Sequence, residues 1–411
     1  MQIVSLNESQ FDRFASNHQY KNYYQTSNFK KVIKKFGYYT KYLGILNDQN
    51  KLIGASLIIY KEVFMGKFFG YAPRGILFDY SIPENVNEMT KELKKVLNKE
   101  GFILLRIDPY IPLTIRSSEG DIINVNNQGE KIISTLESAG WTYKGKTMYF
   151  ETEKPRWESI IILNDHPENL FNKFSKQVRN KIRKASANGI IIEKDTNKDV
   201  EKVYDFFKKK SNRPINYYKE LIENYSENID IYIAKVDTEA LITNARKTYE
   251  KEVEINDEYA SNIQDMSLPQ AEKDSILNKK MNSDKLLTSY KNNLIQATEL
   301  LKQNPNGLNI AAAIVIYYDN AAYIFVEGID EEYTNLNASY LLKWQLINDC
   351  YEKKMKYINL DGIVGELNEE NKYSGLNEMK LGFNSLITEY IGEFDLIINQ
   401  FNYNLFKKFK K

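Results

Sequence analysis

Between Lys173 and Gly189 the chain reads KFSKQVRNKIRKASANG, and six of the first twelve residues are lysine or arginine. On a helical wheel Lys176, Arg179 and Arg183 share one face at spacings of three and four, with Lys173 and Lys184 toward its edges. A face of this kind meets an anion, either nucleic-acid phosphate or the phosphate of a smaller substrate. Other reactive patterns are missing. One cysteine, Cys350, excludes an internal disulfide framework and a thiolate metal cluster, and two histidines, His18 and His166, are too few for a multi-histidine metal site. There is no glycine-rich phosphate loop and no GxSxG elbow. Chemistry must therefore rest on positioning and on oxygen or ammonium groups. Transfer of an already activated acyl group fits that demand. It needs an amine at attack distance, a route for its proton, and donors for the developing oxyanion.

The elements that must position such groups are legible from periodicity. FDRFASNHQ and SNFKKVIKKFG read as helices, the second stopping at Gly37, and YYTKYLGIL and KLIGASLIIYKEV as strands around the turn NDQN. A strand near KFFGYAP, a helix from Glu84 to Glu100, the apolar strand GFILLRIDPY and a helix at GEKIISTLESAG follow. WESIIIL opens a second series. LFNKFSKQVRNKIRKASANG reads as one helix, GIIIEK and IDIYIAKV as strands, AAAIVIYYDNAAYIFVEG as a hairpin, ASYLLKWQLINDCYEKK as a helix and KYINLDG as a strand. The two series share one order, which suggests two copies of one α/β acyltransferase-like unit.

A break separates IDIYIAKV from its neighbour AAAIVIYY. From Leu241 to Gln303 there is no glycine, and Pro269 is the only proline. Leu241, Ala245, Tyr249 and Val253 recur at i, i+4. Beyond SLPQ, the residues Leu277, Met281, Leu287, Tyr290, Leu294, Ala297 and Leu301 form an a/d stripe. This spacing predicts an antiparallel helical hairpin, each helix about 25 residues and roughly 40 Å long, standing out as an arm.

Composition bounds the partners. With 411 residues, two to three domains are expected, and 56 Lys+Arg against 55 Asp+Glu leave a formal net charge of +1. Proteins that coat DNA are far more basic, so no DNA role is expected and any nucleic-acid contact is local. MQIVSLNESQFDRF lacks the basic start and apolar run of a signal peptide, and no apolar stretch approaches the roughly 20 residues of a membrane span, so a cytoplasmic protein with at most peripheral membrane contact is expected. The 30 tyrosines and 20 phenylalanines suit wide clefts for polar ligands as well as ordinary cores.

In order, QTSNFKKVIKKFG, YAPRGILFDY, LRIDP, FSKQVRNKIRKASANG, RPINYY, NASYLLKWQLI, NLDGI, GLNEMKLGF and EYIGEFDLIIN resemble the Fem (FemABX) peptidyltransferases from about Tyr20 to Asn399. The resemblance implies an α/β (α+β) fold of two tandem acetyltransferase-like (GNAT) domains: residues 1–154, completed by 388–411, and residues 155–387, with a helical-hairpin (coiled-coil) arm at 240–304. It implies transfer of an amino acid from aminoacyl-tRNA to the stem-peptide amine of a peptidoglycan precursor. The acceptor would be UDP-MurNAc-pentapeptide or a lipid-linked form at the inner face of the membrane. No cofactor and no metal is implied.

Residue by residue, the resemblance gives Lys31, Arg213 and Tyr217 as contacts to precursor phosphate and sugar. Tyr323 and Phe325 stand where the family carries two tyrosines, so the second hydroxyl is replaced by a plain ring. Lys380 in NEMKLGF aligns with a lysine near the reaction centre, and Asp108 in LRIDP with an aspartate that suits either a base or an Asx cap before Pro109. Lys176, Arg179 and Arg183 would meet tRNA or precursor phosphate. Two alternatives stay open: an acyl-CoA-dependent N-acyltransferase acting on a small amine, against which stands the missing Q/R-x-x-G-x-G/A loop, and a non-catalytic coiled-coil binding protein.

Overall fold

The computed structural model describes residues 1–368 and 370–409; Lys410 and Lys411, the end of the expected 388–411 return, lie outside them. Among the described residues two sheets form. In the first, Gln2–Ser5, Tyr39–Leu46, Leu52–Phe64 and Lys67–Ala72 follow one another antiparallel. Phe102–Ile107 then lies parallel to Lys67–Ala72, and Phe394–Ile397 and Trp141–Tyr143 complete the sheet. A parallel neighbour needs a crossover. The helix Pro83–Lys99 supplies it, burying Val86, Met89, Leu93 and Leu97 at helical spacing.

The second sheet repeats that plan. Ile190–Lys194, Ile229–Val236, Leu308–Tyr318 and Ala321–Ile329 are antiparallel, and the helix Ala338–Glu352 crosses over to the parallel strand Tyr357–Ile363. Trp157–Ile162 and Leu386–Tyr390 follow. The sheet then takes in Pro112–Arg116 and Ile122–Val125, a hairpin lying within the 1–154 segment. Strand pairing thus crosses the division read from sequence, because Leu386–Tyr390 offers its free edge to residues 112–116 before the chain returns to the first sheet at Phe394. A buried Arg156–Glu389 pair at 2.5 Å and the two-pronged Arg106–Asp395 contact at 2.8 and 3.0 Å hold this exchange.

The repeats differ at one place. In the first sheet the parallel pair, after one irregularity between Phe68 and Phe69, stays in register from Phe69 to Ala72. In the second, pairing covers only Ala321–Tyr323 with Tyr357–Asn359, after which the strands separate. Just beyond, a bulge falls at Phe325, and another in Tyr357–Ile363 leaves Asp361 at φ 68°. Bulges of this kind re-aim side chains and concentrate near functional sites.

The sequence LFNKFSKQVRNKIRKASANG is two helices, Pro167–Lys173 and Lys176–Ala187, rather than one. Ser175 makes the break: its hydroxyl accepts from Val178 N at 3.2 Å, an N-cap, while its own N–H donates to Gly382 O at 2.8 Å.

The arm consists of Thr238–Gln264 (27 residues) and Gln270–Gln303 (34 residues), packed along each other. Asp237 caps the first helix, accepting from Glu239 and Ala240 N–H. Its root is apolar: Leu241, Ala297 and Leu300 join Ala185, Ile190, Val236 and Ile310. Farther out, Leu287, Tyr290 and Leu294 keep to the seam, but Leu277 and Met281 are about half exposed (47% and 53%). The seam instead continues through Ser283, whose hydroxyl donates to Glu252 at 2.7 Å and accepts from Asn256 at 3.1 Å. A polar residue at a seam position hides that register from an apolar pattern. Among the described residues no helix is long and apolar enough to cross a membrane.

Candidate active site

A small cavity of about 160 Å³ lies where the two units meet. Tyr23, Tyr24 and Arg74 reach it from the first unit, Glu158, Arg213, Tyr323, Phe325, Asn359 and Asp361 from the second, and Lys154 from the segment joining them. The apolar core behind it is continuous across both units, with Phe11, Phe29 and Tyr42 packed in one cluster with Tyr217, Tyr218 and Phe325.

Arg74 anchors a buried network, in which Asp108 Oδ2 is left without a hydrogen bond. The Arg74 guanidinium donates to Glu158 Oε1 at 2.5 Å and to Pro155 O at 2.9 Å, and stands 3.5 Å from Asp108 Oδ2. It also lies over the rings of Tyr110 and Tyr390 at 5.2 and 5.0 Å. Glu158 Oε2 accepts from Tyr110, Tyr390 and Asn359 at 3.1, 2.9 and 2.7 Å. Asp108 accepts from the Arg74 backbone N–H at 2.7 Å, which fixes Arg74 in the left-handed region (φ 54°). Burial raises the Asp108 carboxyl to about 6 against the lowering pull of Arg74. Asp108 does not line the cavity.

Two other cations at the cavity are left unpaired. Arg213, at the N-terminal approach to helix Ile215–Tyr225, lies over the Tyr217 and Phe325 rings at 5.1 and 5.0 Å. Those two rings are stacked 6.2 Å apart. Lys154 lies 3.9 Å over the Tyr24 ring. Among the described residues neither cation has a carboxylate within 4 Å, because rings, not acids, hold them. Tyr323 shares a 3.0 Å hydroxyl contact with Tyr357 and packs on Tyr23.

Lys380 lies on helix Ser374–Leu381, buried, with Nζ donating to Gly362 O at 2.7 Å. Burial lowers its pKa to about 8, opposed chiefly by the charge of Asp361. A second buried ammonium, Lys343, is held by both oxygens of Glu327 at 2.7 and 2.5 Å.

Of the residues expected from sequence, the fold brings Arg213, Tyr323 and Phe325 to the cavity, buries Tyr217 against Arg213 and Phe325, and sets Lys380 against the strand bearing Asp361. Lys31 is elsewhere, exposed and 3.0 Å from Glu8. Lys176, Arg179 and Arg183 share a face of helix Lys176–Ala187, away from the cavity. Arg179 donates to Asn172 O at 2.7 Å and Arg183 lies over Phe171 at 5.2 Å. Arg74, Lys154, Glu158, Asn359 and Asp361 were not singled out. Arg74 sits within YAPRG, and Asn359 and Asp361 within NLDGI. Glu158 had a sequence signal, an acid among the apolar residues of WESIII.

Comparisons with known proteins bear on this geometry. The FemAB family profile matches residues 6–411. Aminoacyltransferase FemA of Staphylococcus epidermidis is 26% identical over 423 residues, covering 100% of this chain and 99% of FemA. Aminoacyltransferase FemB of the same species is 26% identical over 417 residues, covering 99% and 97%. The crystal structure of FemX superposes with a TM-score of 0.71 at 18% identity over 98% of this chain and 99% of FemX. A tandem GNAT protein from the clavulanic acid biosynthesis pathway superposes with a TM-score of 0.52 at 8% identity over 97% of this chain and 98% of its own, a likeness of fold alone. The chain belongs to the FemAB family and is an aminoacyltransferase built from two acetyltransferase-like units.

Proposed function

We propose that this aminoacyltransferase moves an amino acid from aminoacyl-tRNA to the stem-peptide side-chain amine of a peptidoglycan precursor, in the cytoplasm where charged tRNA is found. The observation that carries the reading is the pair of unpaired cations, Arg213 and Lys154, held on aromatic rings at the mouth of a cavity shared by both units. A precursor diphosphate would neutralise them, Arg213 through a two-pronged contact that lysine cannot make. Tyr217, Tyr323 and Phe325 would flank the sugar and peptide. The Arg74–Glu158–Asp108 network would hold its part of the cavity rigid, so Asp108 serves as a brace for Arg74 in this reading.

The nitrogen of the acceptor attacks the ester carbonyl carbon, the carbon–oxygen bond to the tRNA ribose breaks, and the ribose oxygen leaves as a hydroxyl. A protonated Lys380 beside this segment would favour the anionic tetrahedral intermediate. The donor would approach from the arm side. A groove of about 880 Å³ at the arm root is lined by Lys184, Tyr290, Tyr333 and the amides of Asn188, Asn244 and Asn293. Stacking rings and amides beside a cationic helix suit the single-stranded end of an RNA. Lys176, Arg179 and Arg183 on that helix have no carboxylate within 4 Å among the described residues, which leaves them available to phosphate. Lys31, paired with Glu8, would reach a phosphate only by giving up that contact.

The test is incubation with a mixed pool of radiolabelled aminoacyl-tRNAs and either the nucleotide-linked or the lipid-linked precursor. Label is expected to pass from at least one tRNA to precursor. No transfer from any tRNA to either form would overturn the reading.

A further inference from the structure

Strand Tyr357–Ile363 is buried from Ile358 onward except at Asp361, which is exposed. At that point three steps of this strand, Asn359 to Gly362, stand against two of its partner, Ile160 to Glu158. The extra residue turns Asp361 into the left-handed region at φ 68°, a conformation disfavoured for side-chain-bearing residues and tolerated best by Gly, Asn and Asp. Its side chain lines the cavity together with Arg213 and Lys154. Among the described residues no donor or cation is within hydrogen-bond or ion-pair range of its carboxylate, unlike Glu158 on the neighbouring strand, which has four partners. The neighbouring carbonyl, Gly362 O, takes the Lys380 ammonium. The cavity therefore offers free positive charge at Arg213 and Lys154 and free negative charge at Asp361. A ligand with phosphate at one end and an amine at the other complements both.

We infer that Asp361 is the seat of the attacking amine: its carboxylate receives the acceptor's side-chain ammonium and takes the proton that must leave before nitrogen can attack. The inference rests on the acceptor proposed above and adds a residue to it. The step balances. Ammonium and carboxylate become amine and carboxylic acid. The amine then forms the amide bond as the ester bond breaks, and its second proton goes to the departing ribose oxygen. Asp361, being exposed, returns its proton to solvent. The volume of about 160 Å³ suits the end of an aminoalkyl chain rather than a whole precursor, most of which would lie outside the cavity.

The experiment compares binding of UDP-MurNAc-pentapeptide carrying its side-chain amine with an analogue carrying a hydroxyl there, to the wild-type protein and to Asp361→Asn and Asp361→Gly. Both replacements tolerate a left-handed backbone, so the fold should persist, and thermal melting checks it. The wild type is expected to prefer the amine by roughly tenfold or more, and both variants to lose that preference while keeping their affinity for the hydroxyl analogue. In transfer assays the acceptor KM should rise and the donor KM should not. An undiminished preference for the amine in both variants would overturn the role of Asp361 alone. A wild type that binds neither ligand would overturn the acceptor reading and this inference with it.

Discussion

Two arginines face one cavity and live in opposite surroundings. Arg74 is buried between two carboxylates, a carbonyl and two rings. Arg213 lies over two rings and has no acid within 4 Å among the described residues. The charge of the first is already answered by the protein and can only hold shape. The charge of the second is answered by no carboxylate among the described residues, and the aromatic faces that support it keep it desolvated but available. Function is expected where charge is left open, and rigidity where it is closed.

The largest expected effect comes from opening the closed site. Arg74→Met would leave Asp108 and Glu158 as buried, uncompensated acids, and urea unfolding should register a loss of about 3–5 kcal/mol. A loss under about 1 kcal/mol would mean that the network is not a brace.

Lys380 comes next, and separates the roles by pH. Its folded pKa, about 8, is below the ordinary 10.5. The native state thus holds the proton less readily than the unfolded chain. Its charged form works against stability below pH 8, and that penalty fades as pH rises from 8 toward 10.5. If the ammonium stabilises the intermediate, turnover should fall as pH rises through about 8. Lys380→Met should cost roughly 10²–10³-fold at pH 7 while melting no lower than wild type. Lys380→Arg should keep activity above pH 8, and a pH profile shared by all three proteins would sink the role.

The smallest effect belongs to the arm, where polar groups are mutually satisfied, as around Arg74, but without charge burial. Asn256 donates to Ser283 and to Asp284 at 3.1 and 2.8 Å. Asn256→Ala should lower stability by about 1–2 kcal/mol in thermal melts, and Asn256→Leu with Ser283→Ala by less than that. A double variant worse than the single would mean that these bonds fix the register of the arm rather than satisfy one another.

Much of the fold was legible in the chain because strands of period two and helices of period 3.6 announce themselves locally. The hairpin at 112–125 was not, since the sheet it joins is set by the edge of Leu386–Tyr390, far away in sequence. Ser175 ended a helix that its apolar spacing would have continued, and Ser283 carried the arm's seam through a position where a pattern of apolar residues looks elsewhere. The site was half legible for a similar reason. Arg213, Tyr217, Tyr323 and Phe325 could be named from motifs. YAPRG and NLDGI were equally visible, but whether Arg74 is paired and Asp361 unpaired depends on Glu158 and on one bulge, and both are properties of three dimensions.

The central claim is that Arg213, and not Arg74, is the cavity's open charge. Its most direct measurement is calorimetric titration of UDP-MurNAc-pentapeptide into the wild type and into Arg213→Ala, with melting temperatures recorded on the same samples. Affinity is expected to fall by roughly 10²-fold with melting unchanged. Equal affinity for both proteins, or a loss of affinity matched by a collapse in melting temperature, would contradict it.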